Sequence, residues 1–221
     1  MKKLLSLLLL FPLLGFSQFD INGSRISTVV TEEGVSAQDL HSRLNFAIAN
    51  IFNSANDVIQ LNDTEANRLV VKGLAKINVP NGSKIMFPKN KMVPSAYEYD
   101  HDITLNIASR EGRYRIELTY SDGKIWIPQS QYVTAQWKEL EYPAKMDFNQ
   151  TDIDYWVSYW ETQIEEDINW KLIGKKKKAL YLSNIPSQIK GYQNSLIEYS
   201  KTLFESIQES VSSGETVSDD W

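Results

Sequence analysis

The run from Tyr97 to Ile107 constrains the fold more than any other part of the chain. Tyr97, Tyr99, His101, Ile103, Leu105 and Ile107 alternate without a break with Glu98, Asp100, Asp102, Thr104 and Asn106. Successive side chains of a strand point to opposite faces, so the pattern predicts a strand buried on one side and wet on the other. A sheet solvated on one face is antiparallel. Glu111-Gly112 supplies a two-residue turn that sets Arg110 opposite Arg113. The register that follows places Ile107 opposite Ile116, Leu105 opposite Leu118, Ile103 opposite Tyr120 and Thr104 opposite Thr119. Apolar meets apolar throughout, and a slip of one residue would turn the whole set to water.

Asp122-Gly123 predicts a second hairpin, with Ser121 paired to Lys124, Ile125 facing Tyr120 and Ile127 facing Leu118. Trp126 then stands on the wet face beside Thr119, and Pro128 stops the strand or marks it as an edge. Upstream, Arg25 to Thr31 is β-prone and ends at the turn signal Glu32-Glu33-Gly34. Val58 to Asn62 and Arg68 to Val79 flank a polar turn as an antiparallel pair, with Val71, Gly73, Ala75, Ile77 and Val79 on one face. Pro80 to Ser95, which holds Pro80, Pro88 and Pro94, reads as a surface loop.

Three helices complete the pattern. Ser36 caps the first, with Asp39 at the capping-box position and Val35 and Leu40 at staple spacing. Leu40, Leu44, Ala47, Ile48 and Ile51 then form one apolar stripe. Ile153, Trp156, Trp160, Ile164 and Ile168 predict a second helix over Asp152 to Leu172, ended by Gly174 and followed by a basic link, Lys175 to Lys178. After Pro186, Ile189, Tyr192, Leu196, Tyr199, Leu203, Ile207 and Val211 give the last helix its stripe.

At the other end, Lys2 and Lys3 precede an apolar run, Leu4 to Phe16, that closes on Gly15-Phe16-Ser17. The run is short for a membrane span and has the build of an export signal, so cleavage after Ser17 and a soluble product in the periplasm or outside the cell are expected. The expected organisation is a signal peptide (1–17), a sheet with its first helix (18–128), a Trp-rich helical insertion (129–182), a C-terminal helix that completes the domain (183–211) and a disordered acidic tail (212–221). The absence of cysteine excludes disulfides, thiolate metal sites and thiol nucleophiles. The net charge of −5, made more negative by two on losing Lys2 and Lys3, argues against a nucleic-acid partner.

The Ser36 to Phe52 helix, Leu69-Val70-Val71-Lys72-Gly73, and Ile103 to Arg115 with Gly112-Arg113-Tyr114-Arg115 resemble a family of exported bacterial domains of unknown function described as TBP-like (TATA-binding-protein-like). The resemblance covers roughly Ile26 to Ile127 and implies an α+β half-saddle, a curved antiparallel sheet of strand-helix-meander-helix order with its helices on one face. Its motifs are core and turn patterns, so it implies no activity.

Reactive constellations are sparse. His41 and His101 are the two histidines and lack metal-ligand spacing; Asp100 and Asp102 flank His101 but point to the opposite face, which makes His101 a core residue. Glu98, Asp100 and Asp102 share a face at steps of about 7 Å, which could serve a carboxylate-based hydrolase but more simply discourages edge pairing. The Asp147 to Ser158 run lacks the central Gly and closing Glu of a calcium loop. Nucleophile-elbow, dinucleotide and phosphate-loop motifs are absent. Lys175 to Lys178, between Trp170, Leu172, Leu180 and Tyr181, could touch an anionic membrane surface, although a solvated link is the simpler reading.

The expected function is therefore a non-catalytic binding module without cofactor or metal. It would take a protein, peptide or glycan of the cell envelope on the open sheet face near Thr104, Arg115, Thr119 and Trp126. The alternative is an assembly protein that pairs through the stripe of its C-terminal helix.

Overall fold

The structure, a computed structural model, describes residues 18–52, 58–127, 136–139, 142–166 and 168–215. The expected export signal (1–17), the expected strand stop at Pro128, and the tail beyond Glu215 lie outside the described residues.

The elements are β1 (Asp20–Asn22), β2 (Arg25–Thr31), α1 (Ala37–Ile51), β3 (Ile59–Asp63), β4 (Arg68–Pro80), β5 (Ala96–Arg110), β6 (Arg113–Tyr120), β7 (Lys124–Ile127), β8 (Gln136–Glu139), α2 (Gln150–Glu166), α3 (Ile168–Lys171) and α4 (Lys175–Ser212). One antiparallel sheet has the order β1-β2-β6-β5-β4-β3, and β7 joins it by pairing with β5 and β8. The β5–β6 hairpin has the register read from the sequence, from Arg110 opposite Arg113 to Ile103 opposite Tyr120. Gly112 makes the turn possible with φ +68°, a conformation that a side chain would strain.

All inward residues of β5 from Tyr99 to Ser109 are buried, as are Tyr114, Ile116, Leu118 and Tyr120 of β6. Tyr97, expected among them, is 40% exposed at the start of the strand. The core closes against α1 through Leu40, Leu44, Ala47 and Ile48 and against α4 through Ile189, Tyr192, Leu196, Leu203, Ile207 and Val211. Each fully buried Leu or Ile contributes about 1.5–3 kcal/mol. Ser36 begins α1 as expected, its side chain accepting from Asp39 N at 3.1 Å.

Four expectations are corrected. Lys124–Ile127 does not fold back on β6, because β2 already occupies that edge, with Arg25 opposite Thr119 and Ile26 opposite Leu118. Ser121 N instead bonds Asp102 O at 2.8 Å, and the chain continues along β5, pairing Lys124 with Asp100 and Trp126 with Trp137. Consequently Glu98 to Asp102 is not an edge: β4 lines one side, from Asn78 opposite Glu98 to Leu74 opposite Asp102, and β7 meets the other at Asp100.

Lys175 to Lys178 is the first turn of α4, not a link. Gly174 caps it, its carbonyl accepting from Lys177 N and Lys178 N at 2.9 and 3.2 Å. The helix runs through Pro186, which sacrifices a backbone bond at about 3 kcal/mol, because Tyr181 and Ile185 carry the buried stripe upstream to meet Ile189. Finally, Pro80 to Ser95 is not wholly a surface loop: Met86 is buried, and Asn81 holds the segment by accepting from Ser83 N and donating to Pro94 O.

The insertion packs as a satellite of the same core. Trp156 and Trp160 of α2 meet Tyr142 and Tyr181 edge to face at 5.1 and 5.3 Å, so these tryptophans are packing residues.

Candidate functional site

Helices α1 and α4 both cover the inner face of the sheet, where the apolar alternation sends their partners. The outer face keeps the intervening residues of β2, β4, β5 and β6. Three shallow depressions lie along it. One of about 450 Å³ is lined by Lys72, Asp102, Thr104, Thr119 and Ser121 among others. The other two, of about 330 and 340 Å³, share Ala108 and Arg115.

The four residues singled out in the sequence share this face but do not form one site. Thr104 and Thr119 are directly opposite each other and line the central depression. Arg115 belongs to the two depressions toward the hairpin, its Nη2 donating to Glu117 Oε2 at 2.9 Å and Ser27 Oγ at 3.3 Å. Trp126 is 49% exposed but lies beyond the β6–β7 break, paired with Trp137 rather than beside Thr119. The two indoles stand 5.4 Å apart, Trp137 is 53% exposed, and Lys124 Nζ lies 5.7 Å from the Trp137 ring. Trp137, which lies in a short exposed strand, is a residue that the sequence reading does not single out.

The charged residues divide along the face. At one end Lys76 Nζ meets Glu98 at 3.1 Å and Lys124 Nζ meets Asp102 at 3.4 Å. The hydrogen bond and charge of Glu98 hold the Lys76 ammonium above its usual range. These lysines turn the acidic row into ion pairs, and among the described residues no group of three His, Asp or Glu side chains lies where it could hold a metal. At the other end Arg68, Ala108, Arg115 and Val29 form one row across four strands, with Arg110 opposite Arg113 in the next. The alternation of Arg113 and Arg115 is visible in the sequence, but their meeting with Arg68 requires the non-local β4–β5 register.

His101 is on the opposite side, fully buried. Its Nδ1 donates to the Ser121 carbonyl at 2.9 Å, and its ring lies between Tyr192 and Tyr120 at 6.0 Å from each. Burial lowers its pKa below 6.5, against the pull of Ser121, Asp122, Asp100 and Asp102. Burial likewise raises the phenols of Tyr114, Tyr120 and Tyr192. His101 supports the β6–β7 break from below: a methyl on Gly123 would sit 2.5 Å from its Cε1.

An antiparallel sheet with its helices on one face and an open polar surface on the other is an α+β fold of the TBP-like class. Residues 27–122 match the family described as "Domain of unknown function (DUF4468) with TBP-like fold". A TBP-like protein from Parabacteroides distasonis ATCC 8503 is similar in structure at 12% identity and a TM-score of 0.44, covering 86% of this chain and 94% of that one. A DUF4468 family protein from Bacteroides ovatus ATCC 8483 is similar at 12% identity and a TM-score of 0.47, covering 90% and 91%. No curated protein matches the chain.

Proposed function

We propose that the chain is a non-catalytic binding module that acts outside the cytoplasm and takes a protein, peptide or glycan of the cell envelope on its open sheet face. One observation carries this reading: α1 and α4 are committed to the inner face, while the depressions at Thr104, Thr119 and Arg115 lie together on the outer one. The apolar stripe of α4 is consumed within its own domain, which leaves the assembly alternative without that stripe.

Titration of the ¹⁵N-labelled protein with envelope oligosaccharides and peptides tests the face directly. Amide shifts confined to outward positions of β2, β5, β6 and β7 support it, and Trp126→Ala should weaken any ligand that changes tryptophan emission. Shifts gathered on α1 and α4, or none across the panel, would overturn it. Export is tested separately by the N-terminus of the cell-derived protein, expected at Gln18.

A further inference from the structure

We infer that the hollow over Ala108 is an anion site that receives a tetrahedral dianion, a phosphate or sulfate group carried by the ligand. This rests on the open-face reading and names the chemistry at one end of it.

Four arginines surround a residue with almost no side chain. Arg68 and Arg115 flank Ala108 in register on β4 and β6, and Arg110 and Arg113 face each other one step nearer the turn. Strands are spaced by about 4.8 Å and alternate residues by about 7 Å, so the frame is roughly 7 by 10 Å, wide enough for one oxoanion touched by several guanidinium forks.

The acids nearby are held by other donors, although Glu117 lines the hollow and Asp63 stands opposite Arg68. Glu117 is engaged by Arg115 at 2.9 Å and shared with Arg25 at 3.7 Å. Glu32 accepts from Ser212 Oγ at 2.7 Å, Glu111 from Ala37 N at 3.3 Å, and Asp63 from Glu65 N and Ala66 N in its own turn. Among the described residues no ion pair involves Arg68, Arg110 or Arg113. A like-charged pair directly opposite in a hairpin weakens it, and here it occurs in a chain of net charge −5. Arg115 is already oriented by Ser27 and Glu117, so one fork is fixed before a ligand arrives. Planar guanidinium forks match two oxygens of phosphate or sulfate.

The experiment is a titration of the ¹⁵N-labelled protein with inorganic phosphate, inorganic sulfate, mannose 6-phosphate, and vesicles of phosphatidic acid against phosphatidylcholine. Phosphate should shift the amides of Ala108, Arg110, Arg113 and Arg115. R113Q should weaken it about tenfold and R110Q/R113Q should abolish it. Both variants should melt no lower than wild type, since they remove repulsion. Preference for the sugar phosphate marks a soluble or glycan source, and preference for phosphatidic acid marks a lipid headgroup; either supports the site. No shift up to about 10 mM phosphate, or equal binding by R110Q/R113Q, would overturn it. Should phosphate fail while a neutral glycan still shifts Thr104 and Thr119, the anion site falls and the open-face reading stands.

Discussion

Acidification from pH 7.5 to 5.5 should destabilise the fold through His101, by an amount that follows from its setting. The ring is 0% exposed, its Nδ1 proton is given to Ser121 O, and burial depresses its pKa below the usual 6.5. In the unfolded chain the same ring takes a proton near 6.5. Between the two pKa values the unfolded state holds one more proton, so stability rises with pH at up to about 1.4 kcal/mol per unit. The contribution is complete above pH 6.5 and is lost as pH falls toward the folded pKa. The loss over the interval is at most about 1.4 kcal/mol, the limit for a ring that takes up no proton in the fold. Urea unfolding of wild type and His101→Asn at pH 7.5, 6.5 and 5.5 isolates the effect, since the other acids titrate in both proteins. Asn retains a donor for Ser121 O but leaves a void between Tyr120 and Tyr192, so the variant is the weaker at pH 7.5. The gap between the two should shrink on acidification, by no more than about 1.4 kcal/mol. A gap that stays constant or widens would mean that His101 is charged in the fold, and the reasoning would be wrong.

Three other perturbations probe the frame around the open face. Gly123→Ala should cost about 1–3 kcal/mol because its methyl would meet the His101 ring, and most of that cost should vanish in a His101→Asn background, read as the coupling in a double-mutant cycle. Ser36→Ala should lower stability by about 1 kcal/mol in denaturant unfolding through loss of the bond from Asp39 N. Tyr120→Phe should cost about 1 kcal/mol by thermal melting, since its buried hydroxyl joins Ser200 Oγ at 2.8 Å and Leu196 O at 3.1 Å, tying β6 to α4.

How far the fold is legible in the sequence depends on whether the deciding contact is local. The β5–β6 register is written in two alternating strands and the turn between them, and α1 is written in Ser36 and its stripe. The position of β7 is not, because the edge of β6 is claimed by Arg25 to Thr31, about ninety residues earlier, and Asp122-Gly123 reads the same whether or not that edge is free. The start of α4 was obscured by Pro186, a strong local stop overridden by the burial of Tyr181 and Ile185. The site divides in the same way. Thr104 opposite Thr119 follows from one hairpin, whereas the arginine frame needs β4 to place Arg68 beside Ala108.

The two ends of the open face differ in charge balance, and salt separates that difference from backbone effects. Lys76 and Lys124 each have a carboxylate within 3.4 Å and lose as much as they gain when one partner is removed. Arg113 has Arg110 opposite and Arg115 two residues along its own strand. At a charge separation of about 6 Å in surroundings of dielectric constant near 80, Arg110 costs roughly 0.7 kcal/mol, whereas the charge of Arg115 is offset by Glu117 at 2.9 Å. Arg113→Gln should therefore stabilise the unliganded protein by several tenths of a kcal/mol at low ionic strength. The gain should fade toward zero near 1 M sodium chloride, where the screening length is about 3 Å. A gain that persists in high salt would be strand propensity rather than repulsion. A loss at low salt would show that Arg113 holds the hairpin together, and the frame around Ala108 would then have a structural purpose in place of a ligand.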